Sequence, residues 1–216
     1  MGCCGSKSKQ ATRSDTEPLN STPATDGPAI LKNLPAGAES FRCHHVYDGD
    51  TLTLQDRRRV RFLGIDTPEL KEKEAFAKEA KQFTDAYCGK REIWLVFGPE
   101  AEDRYGRLLA TVYAAHADGG YVCVNEGLVH EGLATYYSVG SELPNSATLL
   151  RLQSGARRRR VGVWSAFEDA DVVATANGRC FHSRSCQHVS RVHRLQQLKK
   201  SIAIDKGLSS CRDCHA

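Results

Sequence analysis

Three short strings in the middle of the chain concentrate residues that could bind metal or act in catalysis. They are Asp48-Gly49-Asp50, the segment from Arg61 to Glu69, and Asp103-Arg104-Tyr105-Gly106-Arg107. Taken singly, each has an ordinary interpretation, because Asp-Gly-Asp is typical of a hairpin turn and an arginine in a strand is typical of a solvated face. An EF-hand is excluded, since the alternating oxygen ligands stop at Leu52 and no glutamate follows at the twelfth loop position.

A second candidate site lies in the C-terminal segment, where histidine and cysteine recur at metal-ligand spacing. His182 and Cys186 are four residues apart, and Cys211 and Cys214 form a Cys-x-x-Cys pair after 24 intervening residues. Two such pairs supply the four ligands that tetrahedral zinc prefers. The string resembles a small zinc-binding module related in pattern to the metal-binding domain of the Ada DNA-repair protein. A disulfide pair or unordered thiols are the structural alternatives, and spacing leaves open four further ligands, which are Cys180, His188, His193 and His215.

The N-terminus carries a lipidation motif. Met1-Gly2-Cys3-Cys4-Gly5-Ser6 fits the Met-Gly-x-x-x-Ser pattern for myristoylation of Gly2, and Cys3 and Cys4 are suited to palmitoylation. One myristoyl chain binds membranes only marginally, whereas a second acyl chain or a nearby basic patch gives stable anchoring. In a eukaryotic host we therefore expect a peripheral protein, anchored by lipid to the cytoplasmic face of a membrane, with the cell membrane as the expected one.

The composition excludes two broad classes. Of 216 residues, 40% are hydrophobic and 26% are charged, and no apolar run is long enough to span a bilayer, so an integral membrane protein is excluded. Nine cysteines would suit a secreted disulfide scaffold, but the residues after Met1 lack the apolar stretch of a secretory leader. We therefore expect reduced, metal-bound or acylated cysteines, with the three scattered ones buried as small hydrophobes, namely Cys43, Cys88 and Cys123.

The formal net charge of +4 is unevenly distributed. Residues 41–171 carry a net charge of −2, whereas residues 172–216 carry +6. The basic surplus therefore belongs to the zinc-binding segment. It suggests contact with nucleic acid, and a purely structural zinc is the competing interpretation.

The order of predicted elements indicates an α+β fold. Short apolar stretches predict about five strands, and apolar residues spaced three and four apart predict helices between and after them. The first helix is predicted to follow directly from Thr67 as its cap and to stop at Gly89. A small closed barrel would remove the edges of the sheet. The predicted domains are a flexible acylated tether at residues 1–40, a central domain at 41–167, a linker at 168–176 and a zinc module at 177–216.

Taken together and in order, the three central strings resemble the staphylococcal-nuclease-like (thermonuclease) family. The resemblance covers roughly residues 41–167 and ends at Gly162-Val163-Trp164, where the family commonly has a similar ending. It implies an OB-fold, which is a five-stranded β-barrel with three helices. This agrees with the strand and helix count that periodicity indicates independently.

The resemblance also implies roles for individual residues. Asp50 and Asp66 match the family's carboxylate ligands of a calcium ion, and Thr67 would add its backbone carbonyl. Glu69 stands where the family places a catalytic carboxylate that activates or orients water. Two arginines and a substrate-pocket tyrosine also match, and these are Arg61, Arg107 and Tyr105.

The implied activity is calcium-dependent, sugar-nonspecific endonuclease cleavage of DNA and RNA that leaves 3′-phosphates. Two departures affect substrate contacts: a longer, lysine-containing loop after Glu69 is missing, and Tyr136 and Tyr137 fall one or two places from an expected tyrosine. A noncatalytic OB-type module that binds nucleic acid or protein is the main alternative, and a membrane scaffold that recruits partners through its tail is a third. Since all five expected active-site positions are filled, catalysis is the favoured interpretation.

Overall fold

The computed structural model describes residue 1 and residues 27–137, 143–214 and 216. Within these ranges, eight strands and three helices precede residue 160. The strands are β1 (Glu39–Val46), β2 (Thr51–Leu54), β3 (Arg59–Phe62), β4 (Ile65–Asp66), β5 (Glu92–Glu102), β6 (Leu108–Ala115), β7 (Tyr121–Cys123) and β8 (Thr135–Tyr136). The helices are α1 (Ala77–Cys88), α2 (Val124–His130) and α3 (Ser146–Arg159).

The predicted lipidation positions, Gly2, Cys3 and Cys4, lie outside the described residues. No helix in the described ranges combines the length and apolar character needed to cross a bilayer.

Five of these strands close into a barrel. Antiparallel pairs join them in the order β3, β2, β1, β5, β6, and a parallel pairing between β3 and β6 closes the ring, with Val60 opposite Leu108. Strand β7 extends the sheet from β6, and the short pair of β4 and β8 lies outside it. Closure satisfies strand edges that would otherwise be open for pairing with another chain. The predicted α+β fold with a five-stranded barrel and three helices is confirmed.

The barrel interior is filled by the apolar positions of the strands. Leu52, Phe62 and Leu95 are at most 1% exposed, and the helices add Leu128 from α2 and Leu149 from α3, both 0% exposed. Burial of each such side chain stabilises the fold by roughly 1.5–3 kcal/mol. The three scattered cysteines, Cys43, Cys88 and Cys123, are free and buried, as the sequence predicts.

Helix α1 begins later than the sequence predicts. It starts at Ala77, ten residues after the predicted cap at Thr67. Two features hold residues 69–76 in turns: the Glu74 carboxylate accepts the backbone N–H of Glu69 at 2.8 Å, and Phe76 adopts a left-handed φ of 68°. The hydrogen bond to the Glu74 side chain and the left-handed Phe76 therefore hold turns where the cap signal at Thr67 suggested the first two helical turns.

The C-terminal segment has its own small sheet. Its strands are β9 (Asp171–Ala174), β10 (Cys180–His182), β11 (Gln196–Lys199) and β12 (Ser209–Ser210), arranged in the order β11, β9, β10, β12, and helix α4 spans Lys200–Asp205. Strand β9 lies inside the predicted linker, residues 168–176. Its apolar run, Val172-Val173-Ala174, is at most 3% exposed. This stretch is therefore a central strand of the tail sheet.

The tail sheet packs directly against the barrel domain. Ala156 of α3 and Trp164 share an apolar cluster with Val172, Phe181 and Ile204. The Arg157 guanidinium, on the same helix, pairs with the Asp205 carboxylate at the end of α4 at 2.7 Å. Helix α3 thus packs against both the barrel core and the tail sheet.

The predicted tether makes one ordered contact in its described part. Leu31 and Tyr121 exchange two backbone hydrogen bonds of 2.8 Å, which adds residue 31 beside β7. The chain therefore meets the barrel before it enters β1 at Glu39.

Candidate active site

The carboxylate of Asp50 is the centre of the candidate site. Asp50 directly precedes β2 and is 5% exposed. Its Oδ2 atom accepts the Thr67 backbone N–H at 2.8 Å and the Thr67 hydroxyl at 3.0 Å, and it lies 2.7 Å from Nη1 of Arg61. Its Oδ1 atom accepts the Thr51 hydroxyl at 3.1 Å. Charge-assisted hydrogen bonds therefore fix the position of this buried carboxylate from three segments of the chain.

Arg61 joins two carboxylates that the sequence places 16 residues apart. Its Nη1 atom contacts Asp50, and its Nη2 atom donates to Oδ1 of Asp66 at 2.6 Å. The Arg61 side chain is 14% exposed, whereas that of Asp66 is 54% exposed. The register of β2 and β3 explains the contact, because Thr51 lies opposite Arg61. The structure thus brings four predicted site residues together, namely Asp50, Arg61, Asp66 and Thr67.

Asp48 belongs to the same cluster, although the sequence suggested only a turn residue here. It is 8% exposed, and its Oδ1 atom accepts the Asp50 backbone N–H at 3.2 Å. Burial raises the pKa of Asp48 to about 6, and the negative charges of Asp50 and Glu69 contribute to the rise. The signal that could have found it is the position of both aspartates in one short turn that leads into β2, which keeps their carboxylates close together.

Gly49 allows the turn between the two aspartates to pack closely. A Cβ atom at this position would lie 2.7 Å from Cβ of Ala80 and 2.8 Å from Thr67, which is closer than packed atoms tolerate. The Gly49 carbonyl accepts the hydroxyl of Thr84 at 2.5 Å, and Thr84 is fully buried. Helix α1 therefore presses the Asp48 to Asp50 turn into place, and only glycine leaves room for this contact.

Glu69 is the exposed carboxylate beside this cluster. Its backbone is fixed by the hydrogen bond to Glu74, while no hydrogen bond to its carboxylate is found among the described residues. Its charge acts on both neighbouring aspartates, because it raises the pKa of Asp48 and of Asp66. For Asp66 the desolvation of the carboxyl group is the larger cause of the raised pKa, and Arg61 opposes it. Glu69 is thus close to the cluster and available to solvent.

Arg107 and Tyr105 lie on a loop that Asp103 organises. The Asp103 carboxylate accepts the backbone N–H groups of Tyr105 and Arg107 at 2.8 and 3.0 Å, and it accepts Nε of Arg107 at 2.8 Å. Against the desolvation of Asp103, these hydrogen bonds hold its pKa below the ordinary value. The Tyr105 side chain is exposed, and the Arg107 guanidinium carbon lies 5.5 Å from its ring centre. Asp103 is a positioning residue to which the sequence assigned no role.

The pairing of β3 with β6 sets Arg107 near the Asp50 cluster but outside its contacts. Arg61 on β3 lies opposite Leu109 on β6, and Arg107 directly precedes β6, two residues before Leu109. Its guanidinium is bound to Asp103 and makes no ion pair with Asp50 or Asp66 in the described structure. Of the predicted site residues, Arg61, Asp66 and Thr67 therefore contact one another through Asp50 or Arg61, whereas Arg107 lies on a separate loop and is bound to Asp103.

The charges of the cluster favour a hard divalent cation. Four carboxylates, from Asp48, Asp50, Asp66 and Glu69, lie together with one contacting guanidinium, that of Arg61. Desolvation is the main cause of the raised pKa values of Asp48 and Asp66, and the negative charges of Asp50 and Glu69 add to it. Oxygen ligands without sulfur or imidazole suit calcium or magnesium and not zinc. The donor set therefore fits the kind of cation that the sequence predicted.

A second cluster, in the tail, contains the four predicted zinc ligands. The ligand atoms of His182, Cys186, Cys211 and Cys214 all lie within 4.8 Å of one another. Thiolates bound to zinc at about 2.3 Å stand about 3.8 Å apart in a tetrahedron, so a small inward movement would complete the site. The Nδ1 atom of His182 is buried and has no hydrogen-bond partner among the described residues. A metal ion would satisfy this atom, so the residues present fit zinc.

Nearby groups that spacing left open are placed differently. The Cys180 sulfur lies 3.8 Å from Nε2 of His182, outside the four-residue cluster. The His188 imidazole contacts the Asp213 carboxylate, His193 is exposed, and His215 lies outside the described residues. Although desolvation opposes it, hydrogen bonds from the backbone N–H groups of Ser183 and Ala216 lower the pKa of Cys214 to about 7. A thiol of that pKa is readily deprotonated for metal binding.

Comparison with known proteins agrees with the barrel site. A family model described as Staphylococcal nuclease homologue matches residues 59–166. The chain is similar to Thermonuclease of Staphylococcus hyicus, with 28% identity over 137 residues that cover 60% of this chain and 78% of the relative. It is also similar to Micrococcal nuclease of Shigella flexneri, with 33% identity over 145 residues, or 63% of this chain and 80% of the relative. Protein ParB of Escherichia coli is 35% identical over 127 residues, or 56% and 69%.

The raised pKa of Asp48 predicts how one substitution changes stability with pH. The folded-state pKa of about 6 exceeds the unfolded value near 3.9, so the contribution of protonated Asp48 is complete below about pH 4 and is lost as pH rises through about 6. Asp48→Asn keeps the acceptor for the Asp50 N–H and removes the buried charge. In calcium-free buffer it should raise the free energy of unfolding by about 1–3 kcal/mol at pH 7 and leave it nearly unchanged at pH 4.

Urea denaturation at the two pH values measures this difference. Asp118→Asn is the matched control, because the Asp118 side chain is 89% exposed and its neutralisation should change stability by less than about 0.5 kcal/mol. Equal destabilisation of the Asp48→Asn protein at both pH values would contradict the assignment of a buried, unfavourable charge.

Proposed function

The chain belongs to the staphylococcal nuclease homologue family, a family of nuclease hydrolases, and from that membership we propose that it is a calcium-dependent, sugar-nonspecific endonuclease acting on DNA and RNA. The observation that carries the proposal is the contact of one guanidinium, Arg61, with both Asp50 and Asp66, beside the exposed Glu69. The products are then 3′-phosphate and 5′-hydroxyl ends.

The chemistry follows from what each residue can supply. Water adds to phosphorus and gives up a proton, the bond from phosphorus to the 5′-oxygen breaks, and the 5′-oxygen takes up a proton from solvent. Glu69 accepts the proton of the attacking water, for which its solvent-accessible carboxylate is suited. A bound calcium ion would supply positive charge beside the phosphate, held by Asp50, Asp66 and the Thr67 carbonyl.

The two arginines stabilise charge that grows on the phosphate. Arg61 is preorganised by its carboxylate contacts, and Arg107 is preorganised by Asp103. Planar guanidiniums bind two phosphate oxygens at once, and fixed donors of this kind stabilise a transition state most where charge develops. Exposed Tyr105, beside Arg107, is placed to contact a base or sugar of the substrate.

Glu69→Gln tests the proposed catalytic role. It removes the proton acceptor while it keeps the size of the side chain, so cleavage of a plasmid and of a single-stranded oligonucleotide with calcium should fall by about 100-fold or more. Glu72→Gln is the matched control, since Glu72 is an exposed glutamate three residues away. It should cleave like the parent, and chelation of calcium should stop both.

Three outcomes of this assay decide between the functions. Equal cleavage by Glu69→Gln and the parent would reject the catalytic residue. Binding of nucleic acid by the parent without cleavage would favour the noncatalytic OB-type module. Cleavage that persists without calcium would reject the proposed cofactor.

We further propose that His182, Cys186, Cys211 and Cys214 bind a structural zinc ion. The apolar cluster around these ligands is small, because it contains few buried residues beyond the cysteines themselves. Metal binding would therefore contribute directly to the folding of the tail. Cys186→Ser should lower the zinc content of the purified protein and its affinity for zinc by more than about tenfold. Cys180→Ser is the control, because Cys180 lies outside the cluster. Full zinc in the Cys186→Ser protein, or loss of zinc from Cys180→Ser alone, would contradict this ligand set.

The N-terminal motif supports a proposed membrane anchor in a eukaryotic host. Gly2 would carry myristate and Cys3 and Cys4 palmitate, which places the nuclease on the cytoplasmic face of a membrane. Gly2→Ala prevents myristoylation and should move a tagged protein from the membrane fraction to the supernatant after cell lysis. Ser8→Ala, a neighbouring change outside the motif, should leave it on membranes. Unchanged fractionation of Gly2→Ala would reject the anchor.

A further inference from the structure

A cavity of about 410 Å³ lies between the barrel domain and the tail, next to the candidate active site. Asp66 forms part of its wall on the barrel side, together with Tyr136 and Tyr137. Lys200 and Arg212 form part of its wall on the tail side. We call this cavity the tail groove. Its volume is within the range of roughly 300–1,000 Å³ that is typical of ligand sites, so it has room for a nucleotide.

The short pair of β4 and β8 connects the tail groove to the Asp50 cluster. Asp66 lies opposite Thr135 and Ile65 lies opposite Tyr136, while the Tyr137 backbone N–H donates to the carbonyl of Gly64 at 2.9 Å. The carboxylate that Arg61 contacts and the groove tyrosines therefore stand on the same rigid ribbon. A nucleic-acid strand with a phosphate bound near Asp66 therefore has this wall beside its neighbouring nucleotides.

The tail side of the groove carries two cations that bind no carboxylate directly. Arg212 is exposed and makes no direct ion pair or hydrogen bond within the described parts of the chain, although its positive charge acts on the Asp66 carboxylate. The Lys200 ammonium lies 6.0 Å from the ring centre of Phe167 and pairs with no described carboxylate. Its neighbour Lys199, by contrast, is bound to Asp171 at 2.8 Å. Cations without a directly bound partner beside a cleft suit a polyanion.

The position of Arg212 depends on the zinc cluster. It lies between Cys211 and Cys214, two of the four clustered ligands. Metal binding would fix the backbone on both sides of it and so the point from which its side chain extends toward the groove. On the opposite wall, Tyr136 and Tyr137 are half-buried, and an aromatic ring in such a site can stack on any base.

We propose that the tail groove binds the nucleotides of a single-stranded substrate next to the cleaved phosphodiester, with Lys200 and Arg212 contacting phosphates and Tyr137 contacting a base. The inference rests on the proposed nuclease function, because its ligand is the continuing strand of the same substrate. It gives the tail a role in substrate affinity, which two of its basic residues, Lys200 and Arg212, would provide.

Substrates of two lengths test the groove. A nitrophenyl phosphodiester of a single nucleotide reaches only the active site, whereas a single-stranded oligonucleotide of about ten nucleotides extends beyond it. In the zinc-loaded full chain, Lys200→Gln with Arg212→Gln should raise KM for the oligonucleotide by about tenfold and leave kcat unchanged. Kinetic constants for the short substrate should change by less than about twofold, because Arg212 acts on Asp66 only through its charge. The salt dependence of oligonucleotide binding should also weaken, because the slope of log K against log salt falls by about one for each cation that no longer binds a phosphate.

The matched control is Arg184→Gln with Lys199→Gln, which removes two charges from the same tail outside the groove walls. These changes should leave KM for both substrates unchanged. An unchanged oligonucleotide KM in the Lys200 and Arg212 variant would overturn the proposal. So would an equal loss with the short substrate, since the two cations would then act on the active centre itself, or an equal rise in the control.

Failure of the nuclease proposal can be told apart from failure of the groove. If the parent cleaves neither substrate, the catalytic assignment fails, and fluorescence anisotropy with the same oligonucleotide then tests the groove. Weaker binding by the Lys200 and Arg212 variant than by the control variant would support it. Equal binding by all three proteins would overturn it.

Discussion

The burial of the Asp50 carboxylate is the constraint on which the site depends. A carboxylate that is 5% exposed is unfavourable unless charge and hydrogen bonds compensate it. Arg61 and Thr67 provide that compensation through one oxygen atom, Oδ2. Removing one partner of such a buried pair typically costs about 3–5 kcal/mol, because the other charge is left uncompensated. The same contacts that stabilise the charge therefore set the distances between the groups proposed to act on a phosphodiester.

The barrel makes these contacts possible by closure. The register of β2 with β3 places Arg61 beside Asp50, and the pairing of β3 with β6 brings the Arg107 loop to the same region. Helix α1 fixes the Asp48 to Asp50 turn through the Thr84 hydroxyl and the absence of a side chain at Gly49. Helix α3 then joins the tail to this framework. The tail cations consequently face a wall that is continuous with the active site.

Local patterns in the sequence predict the strands and helices, because hydrophobic periodicity along the chain determines most of them. Alternating apolar residues identify the barrel strands, and apolar residues spaced three and four apart indicate helices between and after them, as α3 shows. The predicted start of α1 was wrong because the Glu74 side chain and a left-handed Phe76 hold turns after Thr67, so the cap signal at Thr67 starts no helix. Asp48 was missed because a turn and a buried carboxylate have the same Asp-Gly-Asp sequence. The groove could not be predicted, since it requires Ile65 to pair with Tyr136 and α3 to pack on the tail sheet.

If Asp50, Asp66 and the Thr67 carbonyl form a cation site that is already built in the folded protein, calcium should bind without substrate. Calorimetric titration of the zinc-loaded chain with calcium at pH 7 measures this binding, with Asp50→Asn as the comparison at equal folded content. We expect heat from one weakly bound calcium ion in the parent and no such heat in the Asp50→Asn protein. Equal calcium binding by the two proteins, or no calcium binding by the parent until oligonucleotide is added, would contradict a preformed cation site.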